Sequence, residues 1–109
     1  MKGTYLGEFE EIVLLTIGVL QDDAYGAAIK IEIEKRTDRK PSIGALHSAL
    51  SRLEDKGFIN SHEGGATQNR GGRRKRFYTI TSAGKATLKK ANELRNELFK
   101  LIPNISSTQ

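Results

Sequence analysis

The chain has 109 residues, 28% charged and 37% apolar, which suits one domain with a modest core. It lacks cysteine, which excludes a disulfide framework, a thiolate metal site and a cysteine nucleophile together. The net charge of +5 is uneven: residues 1–56 carry 8 Lys/Arg against 10 Asp/Glu, and residues 57–109 carry 10 against 3. A basic excess confined to one half suits a polyanion-binding face, and also a merely soluble surface.

The first helix is expected over residues 8–20, where Phe9, Ile12, Val13, Ile17 and Leu20 form a core-facing stripe. The longest apolar run, Ile12 to Leu20, is too short to span a bilayer. Glu8, Glu10 and Glu11 stand where a secretory signal would be positive, so no targeting segment is expected. Residues 24–36 are ambiguous. Ile29, Ile31 and Ile33 alternate with strand period, but Tyr25, Ile29 and Ile33 fall four apart and no turn residues bound a short strand, so a helix is expected. Pro41 then forces an extended step.

Ser42 is a good N-cap for a third helix running to about Lys56, with Gly57 as its stop. Ile43, Leu46, Leu50 and Leu53, spaced 3, 4 and 3, make an expected inward stripe. Gly44, His47, Ser48, Ser51 and Asp55 lie on the other side, small or polar in the early positions, so this face can approach another surface closely. Phe58–Glu63 and Lys75–Thr81 read as strands joined by residues 64–74, a polar, glycine-rich hairpin loop. That loop and the strand after it carry Arg70, Arg73, Arg74, Lys75 and Arg76, five cations in seven positions with no acid among them. A mobile cationic tip on a strand support is what phosphate contact requires, and a solvated charge run is the bland alternative. Along a strand, Arg74 and Arg76 share one face and Lys75 takes the other.

Thr81 or Ser82 is expected to cap a last helix ending at Pro103, on which Ala91, Leu94, Leu98 and Leu101 repeat at 3, 4 and 3, widened by Leu88 and Ile102. Such a seam either packs on its own domain or pairs with another chain. Three helices, strand, cationic loop, strand, helix is the order of a winged helix-turn-helix, an α+β fold that is mainly α. In such a fold the third helix enters the major groove and the loop reaches a neighbouring backbone or the minor groove. The third helix lacks Asn, Gln or Arg in its first two turns, Arg52 being the later exception, so few direct base contacts are expected. Arg52 has structural alternatives: pairing with Glu54 or Asp55, or covering the core with its stem. Ser42 and Ser48 are candidates for phosphate or base contact against ordinary capping and solvation. His62 is a lone histidine without a second ligand at metal spacing, Gly84-Lys85 lacks the first glycine of a phosphate loop, and Tyr25 is expected to pack.

Residues 5–90 resemble the PadR family of bacterial transcriptional regulators. The resemblance rests on Leu14-Leu15 with Tyr25-Gly26, Gly44-Ala45-Leu46 leading into Leu50-Ser51-Arg52-Leu53-Glu54, Lys56-Gly57-Phe58-Ile59, and Arg74-Lys75-Arg76-Phe77-Tyr78-Thr79-Ile80-Thr81-Ser82-Ala83-Gly84. It implies a repressor-type winged helix that dimerises through its C-terminal helix, near the small members of the family. The family commonly has a tyrosine where this chain has His47. Some small members hold flat aromatic ligands between tryptophans at the dimer interface, a mode unsupported here because the chain has no Trp.

The resulting expectation is a cytoplasmic homodimer on double-stranded DNA, binding a pseudo-palindromic operator and answering to an unidentified small-molecule effector. Residues 1–81 would form the DNA-binding domain, 82–103 the dimerisation helix and 104–109 a disordered tail. The recognition helix would contribute Ser42, Gly44, His47, Ser48, Ser51 and Arg52; the wing Arg70, Arg73, Arg74, Lys75 and Arg76; the dimer seam Ala91, Leu94, Leu98 and Leu101. No cofactor, metal, membrane contact or catalytic activity is expected. The rival is a winged helix serving as a protein-interaction module, or as an RNA binder through Arg70-Gly71-Gly72.

Overall fold

The computed structural model describes residues 5–64 and 75–104. Its helices are α1 (Glu8–Leu20), α2 (Gly26–Arg36), α3 (Ile43–Asp55) and α4 (Ser82–Leu101). A 3-10 turn, Gln21–Asp23, follows α1, and strands β1 (Ile59–Gly64) and β2 (Lys75–Ile80) lie between α3 and α4. The strands pair antiparallel with Ile59 opposite Ile80 and Gly64 opposite Lys75. Tyr25 adds a single bridge to Phe77, and the Tyr78 amide donates to the Ala24 carbonyl at 2.9 Å, so β2 is held from both sides at its inner end. This is the expected winged helix-turn-helix order. Most of the hairpin loop expected over 64–74, and all but the first residue of the tail expected over 104–109, lie outside the described residues.

The ambiguity of the second segment resolves as a helix. Lys30 bonds Glu34 at 2.6 Å and Arg36 bonds Glu32 at 2.5 Å, i,i+4 pairs available only on a helical surface. Ile29 and Ile33 are fully buried while Ile31 is 62% exposed; a strand would have put all three on one face. The helix begins two residues later than expected, because Tyr25 is extended and Ala24, also non-helical, turns its carbonyl to the Tyr78 amide of β2.

The core joins Val13, Leu14 and Ile17 of α1 to Ile29 and Ile33, to Leu46, Ala49, Leu50 and Leu53 of α3, and to Phe58, Ile59 and Tyr78. The third helix is fixed at both ends by local chemistry. The Ala45 amide donates to Ser42 Oγ at 3.0 Å, the expected N-cap. At the other end Gly57 takes φ +81°, its amide donating to the Glu54 carbonyl and the Phe58 amide to the Leu53 carbonyl, both at 3.0 Å. That is a Schellman closure, and the positive φ favours glycine. One expectation fails: Ile43 is 51% exposed, not inward. It sits at the leading end of α3, beyond the reach of the core that Leu46, Leu50 and Leu53 enter.

The segment from Tyr78 to Gly84 locks α4 to this body. Thr81 Oγ1 accepts from the Gly84 amide at 3.0 Å and donates to the Gly57 carbonyl at 2.7 Å, and the Thr81 amide donates to the Phe58 carbonyl at 3.0 Å. A Cβ on Gly84 would lie 2.3 Å from the Phe58 carbonyl oxygen, so the helix can pass this close only with glycine there. Beyond Ala91, every described residue of α4 and its end is exposed.

Candidate nucleic-acid interface

The outward side of α3 and the hairpin beside it form one continuous, largely polar surface, with Ile43 exposed at its leading end. Ser42, Gly44, Ala45, His47, Ser48, Ser51 and Arg52 are all exposed, because the opposite side of the same helix is committed to the core. Positions 43, 47 and 51 make one i,i+4 row. His47 and Ser51 on that row face a cleft of about 350 Å³ shared with Glu54, with Ser61 of β1 and with Arg76 of β2; buried Tyr78 lies at its base. Ser61 Oγ donates to Glu54 Oε2 at 2.9 Å, and Arg76 Nη1 lies 3.5 Å from Ser61 Oγ. Burial pushes the Tyr78 phenol above its ordinary range; the Arg76 charge lowers it and the Glu54 charge raises it.

The alternation along β2 is as expected at its described end. Arg76 turns to the α3 side, opposite Glu63 across the strands, while Lys75 Nζ lies 4.1 Å from the centre of the Tyr25 ring on the other face. Tyr25 meets Phe77 edge-on at 5.5 Å, and His62 stacks on the far side of Phe77 at 5.9 Å. Tyr25 therefore packs, and its ring steadies the root of the wing. Arg70, Arg73 and Arg74 lie outside the described residues.

Arg52 departs from both pairings considered for it. Its Nε donates to Glu10 Oε2 of α1 at 2.7 Å, not to Glu54 or Asp55. Glu10 is buried and also accepts from Lys56 Nζ at 2.6 Å and from the Gly7 amide at 3.2 Å. Lys56 Nζ reaches on to the Tyr5 carbonyl at 2.7 Å. Burial alone would raise the Glu10 carboxyl, but the bonds from Lys56, Arg52 and Gly7 outweigh it and hold it below the ordinary carboxylate range. This clamp sets the C-terminal half of α3 against the start of α1. Sequence reasoning missed Glu10, whose partners are distant in the chain, and the Glu54–Ser61 pair, which joins α3 to β1 across the Gly57 turn.

A second surface is apolar. Leu94, Leu98 and Leu101 are 57%, 55% and 71% exposed, with Phe99 and Ile102 beside them, whereas Ala91 is half-buried. A groove of about 620 Å³ runs between Leu94 and Leu98 and the Tyr5–Leu6 segment. Arg95 bonds Glu11 across it. Leu15 and Val19, one and two turns beyond Glu11 on the same row of α1, are also exposed.

Comparison with known proteins agrees with this architecture. The transcriptional regulator PadR-like family matches residues 14–90. An uncharacterised protein X of Lysinibacillus sphaericus is 39% identical over 84 residues, 75% of this chain and 72% of that protein. A transcriptional regulator from Clostridium thermocellum is similar at 30% identity and a TM-score of 0.69, over 88% of this chain and 90% of that one. A PadR family transcription regulator from hypervirulent Clostridium difficile R20291 is similar at 28% identity and a TM-score of 0.67, over 83% and 92%. The matched span runs from α1 through the third helix and the wing into α4, and the chain belongs to the PadR-like family of transcriptional regulators.

Proposed function

We propose that the chain is a sequence-specific DNA-binding regulator acting as a homodimer, in which two copies of α3 enter successive major grooves of a pseudo-palindromic operator. The observation that carries this reading is the outward side of α3 and its cap: exposed Ser42, Gly44, Ala45, His47, Ser48 and Ser51, small or polar with Ile43 the exception among them, beside a cleft that Arg76 of the wing shares. Ser42, Gly44, His47, Ser48 and Ser51 line the approach to the groove. The amide end of α3 favours a phosphate, and Arg76 with the wing cations Arg70, Arg73, Arg74 and Lys75 supplies backbone contacts. Arg52 contributes through the part of its guanidinium that Glu10 leaves exposed.

The exposed seam of Leu94, Leu98 and Leu101 supports the dimer, since a lone helix in water gains by covering such a row. Repression follows from occupying a promoter. An effector that binds one inter-subunit arrangement better than another would change the separation of the two α3 helices and so release the operator. No helix among the described residues is long and apolar enough to cross a membrane, and a cytoplasmic location accords with this role. The reading assigns no catalytic step to the chain.

Competition binding tests it. A duplex selected from genomic fragments should be preferred over bulk duplex by roughly 10³-fold or more. Equal affinity for the selected duplex, bulk duplex and single-stranded RNA would favour the electrostatic RNA-binding alternative and overturn this one.

A further inference from the structure

Ile43 is the one large apolar side chain of α3 that stands in water. It follows the cap residue Ser42 directly and is 51% exposed, while Leu46, Leu50 and Leu53 behind it are at most 2% exposed. It heads the row that continues through His47 and Ser51, and so faces the surface that the DNA-binding reading turns toward the duplex. Its neighbours Gly44 and Ala45 are small and exposed, leaving nothing on the helix flank to keep a partner away.

The chemistry of this leading turn is restricted. Residues 42–46 are Ser, Ile, Gly, Ala and Leu, without an amide, guanidinium or ammonium side chain. The one hydroxyl, on Ser42, accepts from the Ala45 amide and keeps its own O–H as a donor. The N-terminal residues of a recognition helix are those that meet base edges, and with Leu46 buried the largest side chain this turn exposes to a base edge is the apolar Ile43. In the major groove the apolar group on a base edge is the C5 methyl of thymine.

We propose that Ile43 is a specificity-determining residue that packs against a thymine methyl and selects T·A at one position in each half-site. The proposal rests on the DNA-binding reading above and adds to it a base identity.

The test uses the intact protein and a duplex enriched from a random pool. Each thymine of the half-site is replaced in turn by deoxyuridine, which removes the methyl and leaves every hydrogen-bonding group in place. One position should weaken wild-type binding about 3- to 10-fold, and the same replacement should leave Ile43→Ala unaffected. Tolerance of deoxyuridine at every position by wild type would overturn the proposal, as would equal losses in wild type and Ile43→Ala. Those results leave sequence-specific binding standing. Failure to enrich any duplex would instead overturn the DNA-binding reading itself, and this inference with it.

Discussion

Replacement of Leu98 probes the link between assembly and operator binding. Its side chain is 55% exposed in the single chain. Complete burial of a leucine is worth about 1.5–3 kcal/mol, so the exposed share is worth about 1–1.5 kcal/mol. A two-fold interface holds two copies, and Leu98→Ala should therefore lose about 2–3 kcal/mol, weakening self-association about 30- to 150-fold. Leu98→Glu adds an unpaired carboxylate to the seam, with a desolvation penalty of several kcal/mol per ion, and should abolish the dimer at micromolar concentration. Sedimentation equilibrium reads the association constant, and far-ultraviolet circular dichroism checks that helicity is retained. Operator affinity should fall in parallel, because a monomer meets a single half-site. A wild-type chain already monomeric at about 10 μM, or a Leu98→Glu variant with unchanged association, would refute the reasoning; an outwardly facing seam should behave in neither way.

Three further outcomes are expected. Replacing Arg70 and Arg73 together by alanine should weaken binding similarly on all duplexes and lower the salt slope by up to ~1 for each phosphate no longer neutralised, read by titration at several salt concentrations. Glu10→Gln should cost about 2–4 kcal/mol in denaturant unfolding, because the Lys56 ammonium, only 16% exposed, loses its charged partner. Because the folded Glu10 carboxyl is held below the ordinary value of 4.5, its contribution is present above that pH and is lost as pH falls through the folded value. Glu10→Gln should remove that part of the acid sensitivity. Gly84→Ala should lower thermal stability by about 1–3 kcal/mol or more, since the new methyl must displace the Phe58 carbonyl rather than a flexible side chain.

Features set by local chemistry were legible in the amino-acid order. The Ser42 cap and the Gly57 stop are short-range hydrogen-bond and backbone requirements, and both ends of α3 fall where those residues placed them. The order of elements followed from periodicity and turn residues in the same way. Ile43 shows where periodicity fails: a regular stripe tells which side of a helix is apolar, but not how far along its length the core extends. Leu15 and Val19 show the complementary limit, because α1 is apolar over more of its circumference than its own core uses. The Glu10 clamp was invisible for another reason. Its partners Arg52 and Lys56 lie 42 and 46 residues away, and only the packed α1–α3 pair brings them together. Of the candidate interface, the third-helix face and the base of the wing were legible; the Glu54–Ser61 contact depends on how β1 leaves the Gly57 turn, and the Ser61–Arg76 contact on the strand register.

The most direct test of the account is a hydroxyl-radical footprint of the intact protein on its selected operator. Two protected patches with centres one helical turn apart, about 10–10.5 base pairs, or a whole multiple of that spacing, are expected. A single patch, or protection spread evenly along the duplex, would contradict it.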